Sequence, residues 1–152
     1  MPVRGPISHI DLTVADPTRS IPFYAALFAA LGFRRQPIDH ADFAGPAPQR
    51  AAWFMEYASG ASWGIEVRPA RAESRDASHD RYAPGLHHLA FHAESREDVE
   101  RIHRAMREIG ATILDPPAEY GGPAYSPGYY AVFFADPDGL KLEVVYDPRS
   151  NP

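Results

Sequence analysis

Polar and apolar residues alternate near the start of the chain. In Ile7 to Val14, ISHIDLTV, the residues Ile10, Leu12 and Val14 fall on one face of an extended segment and His9, Asp11 and Thr13 on the other, because successive side chains of a strand point to opposite sides. Leu86 to Ala93, LHHLAFHA, repeats the pattern, with Leu89 and Phe91 opposed to His88, Ala90 and His92. Each alternating segment then gives way to a helical period. Tyr24, Leu27, Phe28 and Leu31 predict a helix from Thr18 or Ser20 to Leu31, stopped by Gly32, with Pro22 in its first turn, where a missing N–H costs little. Val99, Ile102, Met106 and Ile109 predict a second helix, opened by Ser95 with Asp98 three residues on and closed by Gly110. Both helices are amphipathic, so each needs an apolar sheet face to cover.

Further strands follow each helix. The first half offers a short one near Arg34 to Ile38, then Ala51 to Tyr57 and Ser62 to Arg68; the second offers Ala111 to Leu114, Tyr129 to Ala135 and Leu140 to Tyr146. The last two are joined by Asp136-Pro137-Asp138-Gly139, a turn sequence. Asp39 to Arg50 reads as a loop, Ala70 to Gly85 as a linker, and Pro116 to Gly128 as a third irregular segment. Each half is therefore βαβββ, and the halves repeat: His9 and His88 lie 79 residues apart, Gly32 and Gly110 78, Glu66 and Glu143 77. The fold class is α+β, two tandem modules of about 7–69 and 86–147 within one domain spanning 1–152.

Composition narrows the chemistry. The 152 residues, 45% hydrophobic and 23% charged, suit one globular domain with a sizeable core. Cysteine is absent, which removes thiolate nucleophiles, zinc ribbons and iron–sulfur clusters. A formal charge of -5 and a pI near 5.8 give no basic footprint for nucleic acid. No apolar run approaches the roughly 18 residues that span a bilayer, and Met1 to Ile10 lacks the apolar core of a signal peptide. The expectation is a cytoplasmic protein with neither nucleic acid nor membrane as partner.

Any metal must then be held by His, Asp or Glu. Alternation turns Glu66, in WGIEV, and Glu143, in LKLEVVY, away from the helix layer, as it does His9 and His88. If each half curls its sheet, the four line a concavity. Carboxylates converging inside a sheet repel one another and are costly to desolvate unless a cation lies between them. His9, Glu66, His88 and Glu143 are thus candidate ligands of one divalent metal ion, and a set of two imidazoles and two carboxylates suits Ni, Co, Zn, Fe or Mn with coordination positions left open for catalysis. PPAEYGGPAYSPG, continued by Tyr129 and Tyr130, has the make-up of a loop that closes over a ligand, with Tyr125, Tyr129 or Tyr130 lining the pocket.

The tandem βαβββ units, the helix opening SIPFYAALFAALGF, the strand GLHHLAF, the ending ADPDGLKLEVVY and the His/Glu/His/Glu placement resemble the vicinal oxygen chelate superfamily, which comprises glyoxalases, bleomycin-resistance proteins and extradiol dioxygenases. The resemblance runs from about Ile7 to Tyr146. It implies curved mixed sheets forming incomplete barrels with helices outside, paired modules enclosing the metal, often in a homodimer, and chemistry in which the metal chelates two neighbouring oxygens of a small-molecule substrate. A carboxylate at Glu66 is similar to the glyoxalase I ligand set. That similarity implies a metal-dependent lyase or isomerase with an enolate-type intermediate, in which Glu143 or Glu66 moves the proton. Asp11 and His92, on the ligand faces, are candidates to orient a ligand or touch substrate. Two alternatives differ in class: an Fe(II) ring-cleaving dioxygenase using His9, His88 and Glu143, and a metal-free protein that sequesters a small molecule such as an antibiotic. The dimer expectation also follows from open sheet edges that a symmetric partner could cover.

Overall fold

Asp16 begins the first helix. Its carboxylate accepts from the Thr18 N–H at 2.9 Å and the Thr18 hydroxyl at 2.6 Å, satisfying a donor that the first turn leaves without an intrahelical partner. In the computed structural model, which describes residues 7–37, 49–57 and 60–150, the helix α1 accordingly spans Pro17–Ala30. It starts ahead of the expected Thr18 or Ser20. Pro17 takes the first helical position, which suits proline. Pro22 consequently lies in the second turn and not the first, where its missing N–H removes a bond to the Thr18 carbonyl.

The first module contains β1 (His9–Val14), α1, β2 (Arg34–Gln36), β3 (Ala51–Glu56) and β4 (Ser62–Pro69). Its sheet runs β1-β4-β3-β2, with β1 parallel to β4 and the other pairs antiparallel. The expected end of β2 at Ile38 and nearly all of the loop read over Asp39 to Arg50 lie outside the described residues. Tyr24, Leu27 and Phe28 of α1 are fully buried, as are Ile65 and Val67 of β4. The Phe28 ring packs 5.1 Å from Trp53 and 5.0 Å from Phe33. Each such side chain contributes about 1.5–3 kcal/mol when removed from water. Gly32, at φ 84°, ends the helix in the left-handed region that glycine enters without strain.

The second module repeats the plan with β5 (His88–His92), α2 (Arg96–Glu108), β6 (Thr112–Glu119), β7 (Tyr130–Ala135) and β8 (Lys141–Tyr146), in sheet order β5-β8-β7-β6. The Ser95 hydroxyl accepts from the Asp98 N–H at 3.1 Å, as the Ser-to-Asp spacing predicts; the Asp98 carboxylate accepts in return from the Glu94 N–H at 3.2 Å, one residue ahead of the N–H that a capping box would engage. Val99, Ile102 and Met106 are fully buried on the side of α2 that faces the sheet, whose apolar face presents Val132, Phe134, Leu142 and Val144. In the turn before β8, Asp136 accepts from the N–H groups of Asp138 at 2.9 Å and Leu140 at 2.8 Å.

One strand is longer than its sequence suggests. β6 continues through Pro116 and Pro117 to Glu119, so the irregular segment begins at Tyr120 and not Pro116. The ladder to β7 shifts register between Ile113 and Asp115 and again between Asp115 and Ala118. Two bulges at the edge of a sheet accommodate residues that have no N–H to donate.

The boundary between the two compact units falls between Ala77 and Ser78, inside the segment read as a linker, which also carries one 3-10 turn at Ala72–Ser74. No helix among the described residues is long and apolar enough to cross a membrane.

Candidate functional site

Strand register assigns equivalent positions in the two modules. His9 of β1 pairs with Gly64 and Asp11 with Glu66; His88 of β5 pairs with Lys141 and Ala90 with Glu143. In both sheets the histidine therefore precedes, by one same-face step, the residue opposite the glutamate. All four candidate ligands occupy the sheet face turned away from the helix, hereafter the open face.

In the second module the structure brings the pair together. His88 Nε2 lies 3.2 Å from Glu143 Oε2. Glu143 is only 3% exposed, and its Oε1 accepts a short hydrogen bond from the Tyr129 hydroxyl. Burial, then that hydrogen bond and the carboxylate charge, push the Tyr129 phenol far above its ordinary pKa, so it stays protonated and donates. The other nitrogen of His88, Nδ1, lies 2.7 Å from Nδ1 of His87, one donating to the other. Sequence reasoning passed over His87, which the strand pattern places on the opposite face from His88.

The irregular segment packs on the same open face. Tyr120 meets the Phe133 ring edge-on at 5.4 Å, Tyr125 lies 5.6 Å from Tyr120, and Tyr129 lies 5.1 Å from Tyr125. Its ends are joined by the Tyr120 N–H donating to the Tyr129 carbonyl at 2.9 Å. Its middle is tied down by Ser126, 2% exposed, whose hydroxyl donates to Asp147. Tyr130 departs from expectation. Adjacent strand residues face opposite ways, and its hydroxyl donates to Glu100 of α2 at 2.5 Å while Arg96 stacks 5.1 Å over its ring. It lies on the helix side and does not line the open face. His92, at the end of β5, shares the face of His88 and is exposed.

The first module treats its glutamate differently. Glu66 Oε1 accepts from Arg50 in a close ion pair and lies 3.3 Å from Arg68 Nη2, which also binds Asp11 at 2.8 Å. Two guanidinium groups thus stand where a cation would approach that oxygen. His9 is exposed and meets the Ser8 hydroxyl at 3.3 Å. A cavity of about 370 Å³ opens here, lined by His9, Asp11, Gln36, Ala52, Glu66 and Arg68 among others. Arg68 was legible in the sequence as the same-face neighbour two residues after Glu66. Arg50 was not, because it ended a stretch read as loop.

Metal–nitrogen and metal–oxygen bonds of about 2.0–2.2 Å place neighbouring ligands of one ion roughly 3 Å apart, so the separation of His88 from Glu143 suits two ligands on a shared ion. Tyr129 and His87 meanwhile fix the far atoms of each, as partners of ligating side chains do. The unsulfured donor set fits a borderline or hard divalent ion. Glu66, held by arginines, fits less well. Among the described residues no group of three or more His, Asp or Glu side chains is gathered as a metal site; His88 and Glu143 meet as a pair, whereas His9 meets Ser8 and Glu66 meets the arginines.

Residues 6–144 match the family described as the Glyoxalase/Bleomycin resistance protein/Dioxygenase superfamily. YqjT of Bacillus subtilis (strain 168), an uncharacterized protein, is 29% identical over 144 residues, covering 90% of this chain and 95% of its own length. A solved structure from Bacillus halodurans, 25% identical, has a TM-score of 0.69 and covers 93% of this chain and 96% of that one. A glyoxylase/bleomycin resistance protein/dioxygenase domain from Frankia sp. EAN1pec, 22% identical, shares the fold at a TM-score of 0.61 over 96% and 99% of the two chains. With two βαβββ modules in matched register and a family match along almost its whole length, the chain belongs to the glyoxalase/bleomycin resistance protein/dioxygenase superfamily.

Proposed function

We propose that the protein is a metal-dependent lyase or isomerase acting on a small oxygenated substrate through an enolate-type intermediate. The observation that carries this reading is the His88–Glu143 pair, a buried carboxylate 3.2 Å from an imidazole nitrogen with each partner braced from behind. His88 and Glu143 would hold a divalent ion (Ni, Co, Zn, Fe or Mn), with His9 and Glu66 as the candidates from the first module, contributed by the same chain or a second copy in a homodimer. Such an ion supplies Lewis acidity, which polarises a substrate carbonyl and acidifies the adjacent C–H.

The chain's own groups do the rest. Glu143, with Oε1 tied to Tyr129, has Oε2 turned toward His88, and a carboxylate held in this way can take and return a proton at a fixed point. Tyr120, Tyr125 and Tyr129 cover the adjoining face with aromatic surface, which excludes water from a reactive carbanion. The whole chain acts as one cytoplasmic domain in this reading.

Metal analysis of the purified protein tests it. The wild type should retain a divalent ion after gel filtration, and His88→Ala and Glu143→Gln should each lose most of it while keeping the wild-type circular dichroism. Failure to bind any of the five metals, or full retention in both variants, rejects the reading. A specific observation favours a second one. Because Arg50 and Arg68 already engage Glu66, His9, His88 and Glu143 make a set of two imidazoles and one carboxylate, the kind used for Fe(II) oxygen chemistry. Oxygen uptake with catechols by the Fe(II)-loaded protein distinguishes it from the first.

A further inference from the structure

Carboxylates answer several of the molecule's arginines: Glu66 holds Arg50 and Arg68, Glu119 holds Arg96, and Asp98 holds Arg101. Beside His88, two cations are held by aromatic rings instead. The Arg81 guanidinium lies 4.9 Å over the Tyr82 ring and donates to the Tyr82 hydroxyl at 2.9 Å. The Lys141 ammonium lies 3.9 Å over the Phe133 ring, and Lys141 is the strand partner of His88. An aromatic face positions a cation without cancelling its charge, and neither cation pairs with a carboxylate among the described residues. Both are half-buried, yet none of the N–H groups they leave unbonded is shut off from solvent.

His87 connects the two. Its ring meets Tyr82 edge-on at 5.8 Å and His88 at 5.0 Å, so Tyr82, His87 and His88 make a continuous ledge at the start of β5. Desolvation, then the positive charges of His88, Arg81, Lys141 and His79, hold the His87 pKa below the ordinary 6.5. In a chain of net charge -5 this is a local concentration of the opposite sign. The first module has no equivalent. Where the second places Lys141 opposite His88 and Phe133 opposite Glu143, the first places Gly64 opposite His9 and Ala52 opposite Glu66. Uncompensated cations lining one ledge attract an anion and repel a cation. A guanidinium is moreover well shaped to receive an oxyanion, and one already held against a ring loses less freedom in doing so.

We propose that this ledge receives the anionic group, a carboxylate or a phosphate, of a small molecule seated beside His88, with Arg81 and Lys141 as its charged contacts. The proposal names a substrate class for the function above and rests on that reading for the bound molecule's being a substrate; the binding itself requires no metal. All the residues it uses belong to the second compact unit. Lys141 is the chain's only lysine. The full-length protein labelled with ¹³C-lysine therefore gives one Cε resonance, which reports on the ledge directly.

Benzoate, phenyl phosphate, benzamide and benzylamine, one ring carrying different charges, are titrated in the presence of a chelator. The anions are expected to shift the Lys141 resonance saturably, the tighter of the two identifying the group the ledge takes. Benzamide should bind several-fold more weakly, and benzylamine should leave the resonance unmoved. Arg81→Gln should weaken the anions by about three- to fivefold, as loss of one exposed ion pair does, and Arg81→Lys, which keeps the charge, should recover most of that. Arg104→Gln removes the same charge from an exposed position on α2 and should change nothing. The proposal is overturned if benzamide or benzylamine binds as tightly as the anions, if neither anion gives a saturable shift, or if Arg81→Gln and Arg104→Gln behave alike. The chelator separates the two readings: anion binding without metal retention rejects the metal site alone, and metal retention without anion binding rejects the ledge alone.

Discussion

Glu143 is a carboxylate buried under aromatic rings, and its cost is contained by Tyr129 on one oxygen and His88 on the other. Removing a donor from a buried acceptor exposes the desolvation penalty that the bond concealed. Tyr129→Phe should therefore lower stability by about 1–3 kcal/mol in urea denaturation with little change in slope. Asp147 offers a pH test. Hydrogen bonds from the Ser126 hydroxyl and the Arg149 N–H hold its pKa below the ordinary 3.8. Its contribution is thus present above about pH 4 and lost as the pH falls through the lower folded value. Stability measured between pH 5 and pH 2.5 should fall less steeply in Asp147→Asn than in the wild type; equal slopes would remove Asp147 from the account. Residue-level reading of the sequence succeeded where alternation alone decided orientation, as for His88 and Glu143. It failed at Tyr130, because composition grouped it with Tyr129 while the strand turned the two neighbours to opposite sides.

Elements were legible where a cap and a period agreed. Ser95 and Asp98 announced α2, and Ser95→Ala should cost about 1 kcal/mol by loss of the acceptor for the Asp98 N–H. For α1 the period indicated the body but not the start. Asp16 and Pro17 form a stronger beginning than Thr18 or Ser20, since a carboxylate at the cap and a proline at the first helical position serve the same end. That shift strands Pro22 in the helix interior at an exposed position. Pro22→Ala, which restores a donor to the Thr18 carbonyl, should raise stability by about 1–3 kcal/mol, read as a higher denaturation midpoint. The extent of β6 was hidden for a related reason. Two consecutive prolines argue against a ladder in general, yet an edge strand with bulges admits them.

For the whole molecule, the repeat was the most informative signal in the sequence. Its offsets of 77 to 79 residues became matched strand registers. What the offsets could not reveal was divergence between the modules, because small residues at positions 52 and 64 carry no pattern of their own. If a divalent ion is held as proposed, chelation should lower the melting temperature. A ligand at 100 times its dissociation constant stabilises a folded protein by about 2.7 kcal/mol, and differential scanning calorimetry with and without chelator measures the loss. His88→Ala should melt at the same temperature in both conditions.

The prolines and bulges of β6 carry one more consequence, for the protein's behaviour in a crowded cell. An exposed, regular edge is a template on which a neighbouring chain can lay a strand, the first step toward fibrils. β6 is the outer strand of its sheet; Pro116 and Pro117 bring it no N–H groups, and the two register shifts break its repeat. Straightening it by replacing both prolines with valine would convert a blunt edge into an adhesive one. Such a variant would be expected to fold like the parent and yet bind thioflavin on prolonged incubation, a liability that the irregularity of a single strand now prevents.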